Sequence, residues 1–120
     1  MSAVPSTASH GNDAPVLASR NGGVLTLTLN RPAQFNALSA ELMAAMQIEL
    51  ERAAADPAVR VVVVAAAGKA FCAGHDLREM RAEPSLDYYQ KLFAQCSRMM
   101  MTIQRMPQPV IARVHGIATA

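Results

Sequence analysis

Seven residues, Val59-Arg60-Val61-Val62-Val63-Val64-Ala65, constrain the fold more than any other stretch of this chain. Consecutive β-branched side chains are stiff at χ1 and pack well on a pleated surface, so the run reads as a strand. Apart from Arg60 it is apolar throughout and does not alternate. That is the pattern of a strand covered on both faces, as in a parallel sheet with helices over it.

The flanking sequence supplies the elements such a sheet needs. Residues 16–20 and 24–30 surround the turn sequence Asn21-Gly22-Gly23, and Val24 to Leu29 alternate with the period of a half-buried strand. A β-hairpin is expected, with Leu25, Leu27 and Leu29 on one side. Arg31-Pro32 closes it, because proline cannot donate to a ladder. Ser39 then offers an N-cap, with Glu41 in the favourable first turn. Leu42, Met43, Met46, Leu50 and Ala53 form one helical stripe until Asp56-Pro57 ends it. Beyond the valines, a Gly-punctuated loop over 67–76 leads to a short helical turn over 77–81. Ser85 can cap a longer helix from Leu86 to about Arg105, with Leu86, Tyr89, Phe93, Cys96, Met100 and Ile103 as its apolar stripe. Pro107 and Pro109 stop that helix, and residues 110–114 read as another strand leading to Gly116. The order strand, helix, strand, helix, strand predicts an α/β fold with ligands at the carboxyl ends of the strands, where loops 67–76 and 115–120 lie. The segment that would cover the last strand is expected beyond residue 120.

Composition narrows the function classes. The 120 residues are 52% hydrophobic and 17% charged, with a net charge of +2, which fits one domain or part of one. Lys and Arg are dispersed and aromatics are few, so nucleic acid is not an expected partner. The apolar run 61–67 is far shorter than the roughly 20 residues of a membrane helix, so no membrane partner is expected either. Residues 1–15 are rich in Ala, Ser and Pro and contain neither a basic nor an apolar targeting core, so they read as a flexible tail. Cys72 and Cys96 stand alone, without metal-ligand spacing, which fits reduced thiols in the cytoplasm and no metal site.

The loop most able to carry chemistry is Gly68-Lys69-Ala70-Phe71-Cys72-Ala73-Gly74-His75-Asp76. Its small residues let a ligand approach backbone N–H groups closely, a geometry suited to developing negative charge. On residues alone the plainer reading is a tight strand-to-helix connection with Asp76 as N-cap. A phosphate-binding loop is excluded, because Gly68-Lys69 is followed by Ala and lacks the upstream glycine. His75 has no evident nucleophile to serve. Cys72 between Phe71 and Ala73 reads as a small buried hydrophobe, and the Met cluster 99–101 with Met106 as adaptable packing.

Three motifs, taken together, resemble a known family. Leu27-Thr28-Leu29-Asn30-Arg31-Pro32 with Asn36-Ala37-Leu38 comes first, and Ala70-Phe71-Cys72-Ala73-Gly74-His75-Asp76-Leu77 second. Pro109-Val110-Ile111-Ala112 with Val114-His115-Gly116-Ile117-Ala118 is the third. In this order and spacing they are similar to the crotonase superfamily of enoyl-CoA hydratases and isomerases, over residues 16–120. The resemblance implies the N-terminal part of a crotonase-like superhelix of ββα turns, left incomplete at residue 120. It also implies binding of acyl-CoA thioesters, with the enolate oxygen held by two backbone N–H groups. One of these falls on His75. Ala73, Asp76, Leu77 and Arg78 would line the adenine and pantetheine path, and Gln34 and Phe35 would touch CoA. No separate cofactor is implied, because CoA is part of the substrate.

The family's second oxyanion donor follows the position matching Ala120, and its acidic catalytic residues lie further on. Ala120 itself stands where many members have the first glycine of a triplet. The resemblance therefore implies a hydratase-like lyase or isomerase that forms a homo-trimer or hexamer at full length, while the 120-residue chain alone is expected to be inactive. The alternative is a non-catalytic acyl-CoA-binding or assembly module.

Overall fold

The computed structural model describes residues 13–119, so most of the tail expected over 1–15 lies outside the described residues. Strands β1 (Val16–Asn21) and β2 (Val24–Leu29) form an antiparallel hairpin in which Asn21 faces Val24 across Gly22-Gly23. Helix α1 (Ala40–Ala55) crosses back, and β3 (Val61–Ala66) then joins β2 in parallel. Helices α2 (Leu77–Ala82) and α3 (Leu86–Arg105) precede β4 (Val110–Ala112), which pairs in parallel with β3. The sheet order is β1-β2-β3-β4. Parallel pairing of β2 with β3 requires a crossover, and α1 provides it.

The helix limits follow from capping. Ser39 accepts the Leu42 N–H at the start of α1, and Ser85 accepts the Tyr88 N–H at the start of α3. Each side chain satisfies one of the backbone donors a helix leaves open at its N-terminus. After α3, the Gln108 side chain donates to the carbonyls of Ala53 at 2.6 Å, Val59 at 3.2 Å and Asp56 at 3.3 Å. It thereby ties the approach to β4 onto the end of α1.

One core holds these layers together. Leu25, Leu27 and Leu29 of β2 and Val62 of β3 meet Leu42, Met43, Met46 and Leu50 of α1, with Leu92 and Met99 of α3 behind them. Leu27, Leu42, Met43, Leu50 and Val62 are fully buried, and each such side chain contributes about 1.5–3 kcal/mol relative to exposure.

Two expectations are corrected here. The stripe predicted for α3 is displaced around the helix: Leu86, Phe93 and Met100 are exposed, whereas Leu92 and Met99 enter the core with Tyr88, Cys96 and Ile103 partly buried beside them. Apolar residues surround much of α3, so spacing alone does not choose the face; contact with α1 does. Likewise β3 is not covered evenly on both faces. On the face shared with Leu25 and Leu27, where α1 and α3 pack, Val62 is buried and Val64 lies against the core, whereas on the other face Val61 and Val63 are only half-buried and the small Ala65 alone is buried. The strand is also shorter than the run, since Val59 sits buried ahead of it. No helix among the described residues is long and apolar enough to cross a membrane.

Candidate functional site

The chain leaves β3 through loop 67–76, whose shape is set by neighbours on both sides. On one side stands the turn 31–38, with a short 3-10 segment at Pro32–Gln34 followed by Phe35 and Asn36 at φ 52° and 56°. The Phe35 carbonyl accepts the Ala73 N–H at 3.0 Å, the Leu38 N–H donates to Gly74 at 2.7 Å, and the Asp76 N–H donates back to Leu38 at 3.2 Å. On the other side the Ile117 carbonyl accepts from Phe71 at 2.8 Å and Cys72 at 3.2 Å, and Thr119 donates to Cys72 at 3.0 Å. His115 Nε2 lies 2.7 Å from the Gly68 carbonyl oxygen. The two loops expected at the strand ends are therefore one connected structure.

Two glycines make this possible. Gly74 has φ 87°, a left-handed conformation that a side chain opposes. Gly116 lies so close to the Lys69 carbonyl that a Cβ would collide with it.

The Leu38–His75 bridge has parallel geometry. Gly74 and Asp76 supply its bonds, so the N–H of His75 points the other way. It has no acceptor among the described residues. Its own imidazole packs edge-on against Phe93, with ring centroids 5.2 Å apart, and Nδ1 is buried without a partner among the described residues. The side chain is thus directed toward α3 while the main-chain donor stays available.

Asp76 is used internally. One carboxylate oxygen caps α2 through the Glu79 N–H at 3.1 Å, and the other lies 3.4 Å from Arg31 Nη1, which also donates to the Ala37 carbonyl. Cys72 packs at the core edge, and its Sγ accepts the Gly74 N–H at 3.4 Å. Partial burial, and then the charge of Cys72, push the Cys96 thiol above its ordinary value. Among the described residues no three His, Cys, Asp or Glu side chains are grouped to hold a metal.

The residues nominated from sequence fall into one neighbourhood. Ala73 and Phe35 are hydrogen-bonded to each other, Gln34 is exposed next to Phe35, and His75 and Asp76 follow within three residues of Ala73. Leu77 and Arg78 stand exposed on the first turn of α2. Two residues given no role from sequence hold this group together: Arg31, through Asp76, and Asn36, whose fully buried amide bonds Arg31, Ala67 and Ala70. A polar Asn between Phe35 and Ala37-Leu38, just after a proline turn, was the available signal. Away from the loop, a concavity of about 680 Å³ between α1 and α3 is lined by Ala54, Ala94, Arg98, Met101 and Met106, none of which belongs to this group.

Comparison with known proteins gives concordant matches. Residues 19–120 match the family model described as enoyl-CoA hydratase/isomerase. The chain is 37% identical over 115 residues to enoyl-CoA hydratase domain-containing protein 3, mitochondrial, of Xenopus laevis, covering 95% of this chain and 39% of that protein. It is 38% identical over 116 residues to enoyl-CoA hydratase EchA19 of Mycobacterium tuberculosis, covering 95% of this chain and 43% of that one. The crystal structure of an enoyl-CoA hydratase from Mycobacterium smegmatis superposes with a TM-score of 0.87 at 63% identity, over 88% of this chain and 42% of that structure. The chain thus spans about two-fifths of the length of these relatives and corresponds to an N-terminal part of the crotonase fold. On the extent of the family match and the shared architecture, the chain belongs to the enoyl-CoA hydratase/isomerase family.

Proposed function

We propose that this chain supplies the first half of an acyl-CoA thioester site, in which the backbone N–H of His75 is one donor to the thioester oxygen as it becomes an enolate. The observation that carries this reading is the His75 N–H, unpaired among the described residues and held outward by a ladder that uses the groups on either side of it. A preset donor of this kind does not reorganise as charge develops, and one such donor is worth about 2.7–4 kcal/mol in the transition state. Ala73, Asp76, Leu77 and Arg78, with Gln34 and Phe35, would line the CoA path. Asp76 contributes there through position, because its carboxylate is occupied by Arg31 and the α2 cap and its backbone groups by Leu38 and Met80. Lys69, Arg78 and Arg81 are exposed and make no ion pair among the described residues, so they are available to CoA phosphates.

For the whole protein the reading is hydration or isomerisation of an enoyl thioester by a trimer or hexamer in the cytoplasm; the Xenopus relative is named as mitochondrial. Among the described residues this reading finds one donor and no placed acid/base pair, so turnover by the 120-residue chain alone is not expected. Exposed Ile111, Val114 and Ile117 favour a second reading, in which the chain works as a non-catalytic assembly module.

The test is a titration of the ¹⁵N-labelled chain with acetoacetyl-CoA and with CoA. Selective movement of the His75 amide resonance by the thioester, lost in Gly74→Val, is the expected result. No heat and no resonance shift at millimolar ligand would exclude the reading.

A further inference from the structure

Asn36 is buried completely, yet no apolar residue of its shape could replace what it does. Its Oδ1 accepts the Arg31 N–H at 2.7 Å, and its two Nδ2 hydrogens go to Ala67 at 2.8 Å and Ala70 at 2.9 Å. One backbone donor and two backbone acceptors fix which end of the amide is oxygen, with no second solution. Removing the amide would leave those groups buried and unpaired, a larger penalty than a hydrogen bond is normally worth. Asn also tolerates the left-handed backbone at φ 56°.

The placement of the two carbonyls matters more than their number. Ala67 and Ala70 are the two ends of the Gly68-Lys69 reversal, so a single planar amide sets its width. Phe35, directly before Asn36, holds the same loop further on through Ala73. The loop is thus gripped at 67, 70 and 73 by two adjacent residues, and the His75 N–H lies two residues beyond the last grip, with Leu38 holding the Gly74 carbonyl between them.

We infer that Asn36 is a positioning residue, fixing through loop 67–73 the direction of the His75 N–H without touching a ligand. As a statement about chemistry it rests on the oxyanion reading above; as a statement about the loop it stands alone. A displacement of about 1 Å at a reacting centre can cost on the order of 100-fold, so a clamp at this distance is worth testing functionally.

The experiment compares the wild-type chain, Asn36→Asp and Leu50→Ala by amide hydrogen exchange and by affinity for acetoacetyl-CoA relative to CoA. Asp keeps the oxygen that Arg31 uses and removes both donors, while Leu50→Ala lowers stability from α1, away from the loop. In Asn36→Asp the exchange of the Ala73 and Asp76 amides should accelerate beyond that of α1, and the preference for the thioester should fall on the order of 10- to 100-fold. In Leu50→Ala the loop and α1 should change together and the preference should persist. If Asn36→Asp does not fold, Asn36→Gly removes the amide but accepts the same backbone, and the same results are expected. Loop amides that accelerate no more than those of α1, or a thioester preference kept without the amide, would overturn the inference. A wild-type chain with no thioester preference would instead count against the oxyanion reading, and exchange alone would then decide the clamp.

Discussion

Leu38 and His75 meet in a parallel bridge outside any strand of the sheet, and the bridge consumes the Gly74 carbonyl and the Asp76 N–H while leaving that of His75 pointing away. Alternation along an extended segment therefore turns the candidate oxyanion donor away from the bridge, on a loop that the Asn36 side chain braces at Ala67 and Ala70.

The core prediction concerns Leu50, which is fully buried among α1, α3 and the sheet. Leu50→Ala should lower unfolding free energy by about 2–5 kcal/mol, from lost transfer energy and the cavity left behind. Urea denaturation followed by circular dichroism measures this; a change below about 1 kcal/mol would mean that the site collapses around the smaller residue.

Gly116→Ala should act locally. A Cβ there meets the Lys69 carbonyl, and the backbone is already left-handed at φ 61°, so segment 115–119 should separate from the loop. Every residue in that segment is exposed, so the loss of global stability should stay on the order of 1 kcal/mol. The Phe71 and Cys72 amides, which donate to Ile117, should nevertheless lose protection from exchange.

At Asp76 two roles can be separated. Asp76→Asn keeps an oxygen for the Glu79 N–H but loses the charge facing Arg31, whereas Asp76→Ala loses both. The alanine variant should be less stable than the asparagine variant by the worth of an N-cap, about 0.5–2 kcal/mol. Equal thermal midpoints would show that the cap contributes nothing in so short a helix.

The Cys96 thiol carries a pH prediction. Burial raises its pKa above the ordinary 9.0, with the charge of Cys72 adding to the effect. The folded state then holds the proton more tightly than the unfolded state. Its stabilising contribution is complete below pH 9.0 and is lost as pH rises through the folded value. In Cys72→Ser, alkylation of the remaining thiol by iodoacetamide should still reach half its maximal rate above pH 9.0 in the folded protein, and nearer 9.0 in urea.

Much of the fold was legible because it is locally encoded. The Asn21-Gly22-Gly23 turn, the caps Ser39 and Ser85 and the alternation of Leu25, Leu27 and Leu29 all act over a few residues, and they set the hairpin, both long helices and the core face of β2. The facing of α3 was not legible. Leu86, Phe93 and Met100 repeat every seven residues just as Leu92 and Met99 do, and only the partner helix distinguishes them. The site region was legible as a loop between a strand and a short helix. Its scaffold was not, because Arg31 and Asn36 find their partners 31 to 45 residues further along the chain, where no local pattern reports them.

Cys72, Ala73, Gly74 and Asp76 bond the two flanking segments through backbone atoms, and this has an evolutionary consequence. Side chains at 73, 75 and 77 can be exchanged without removing any of those bonds, whereas the glycine at 74 and the amide at 36 cannot be varied so cheaply. Such a loop separates the electrostatics of a reaction from the recognition of its substrate. On the proposed reading, one scaffold could be retuned toward different ligands by point substitution while the His75 N–H stays where it is.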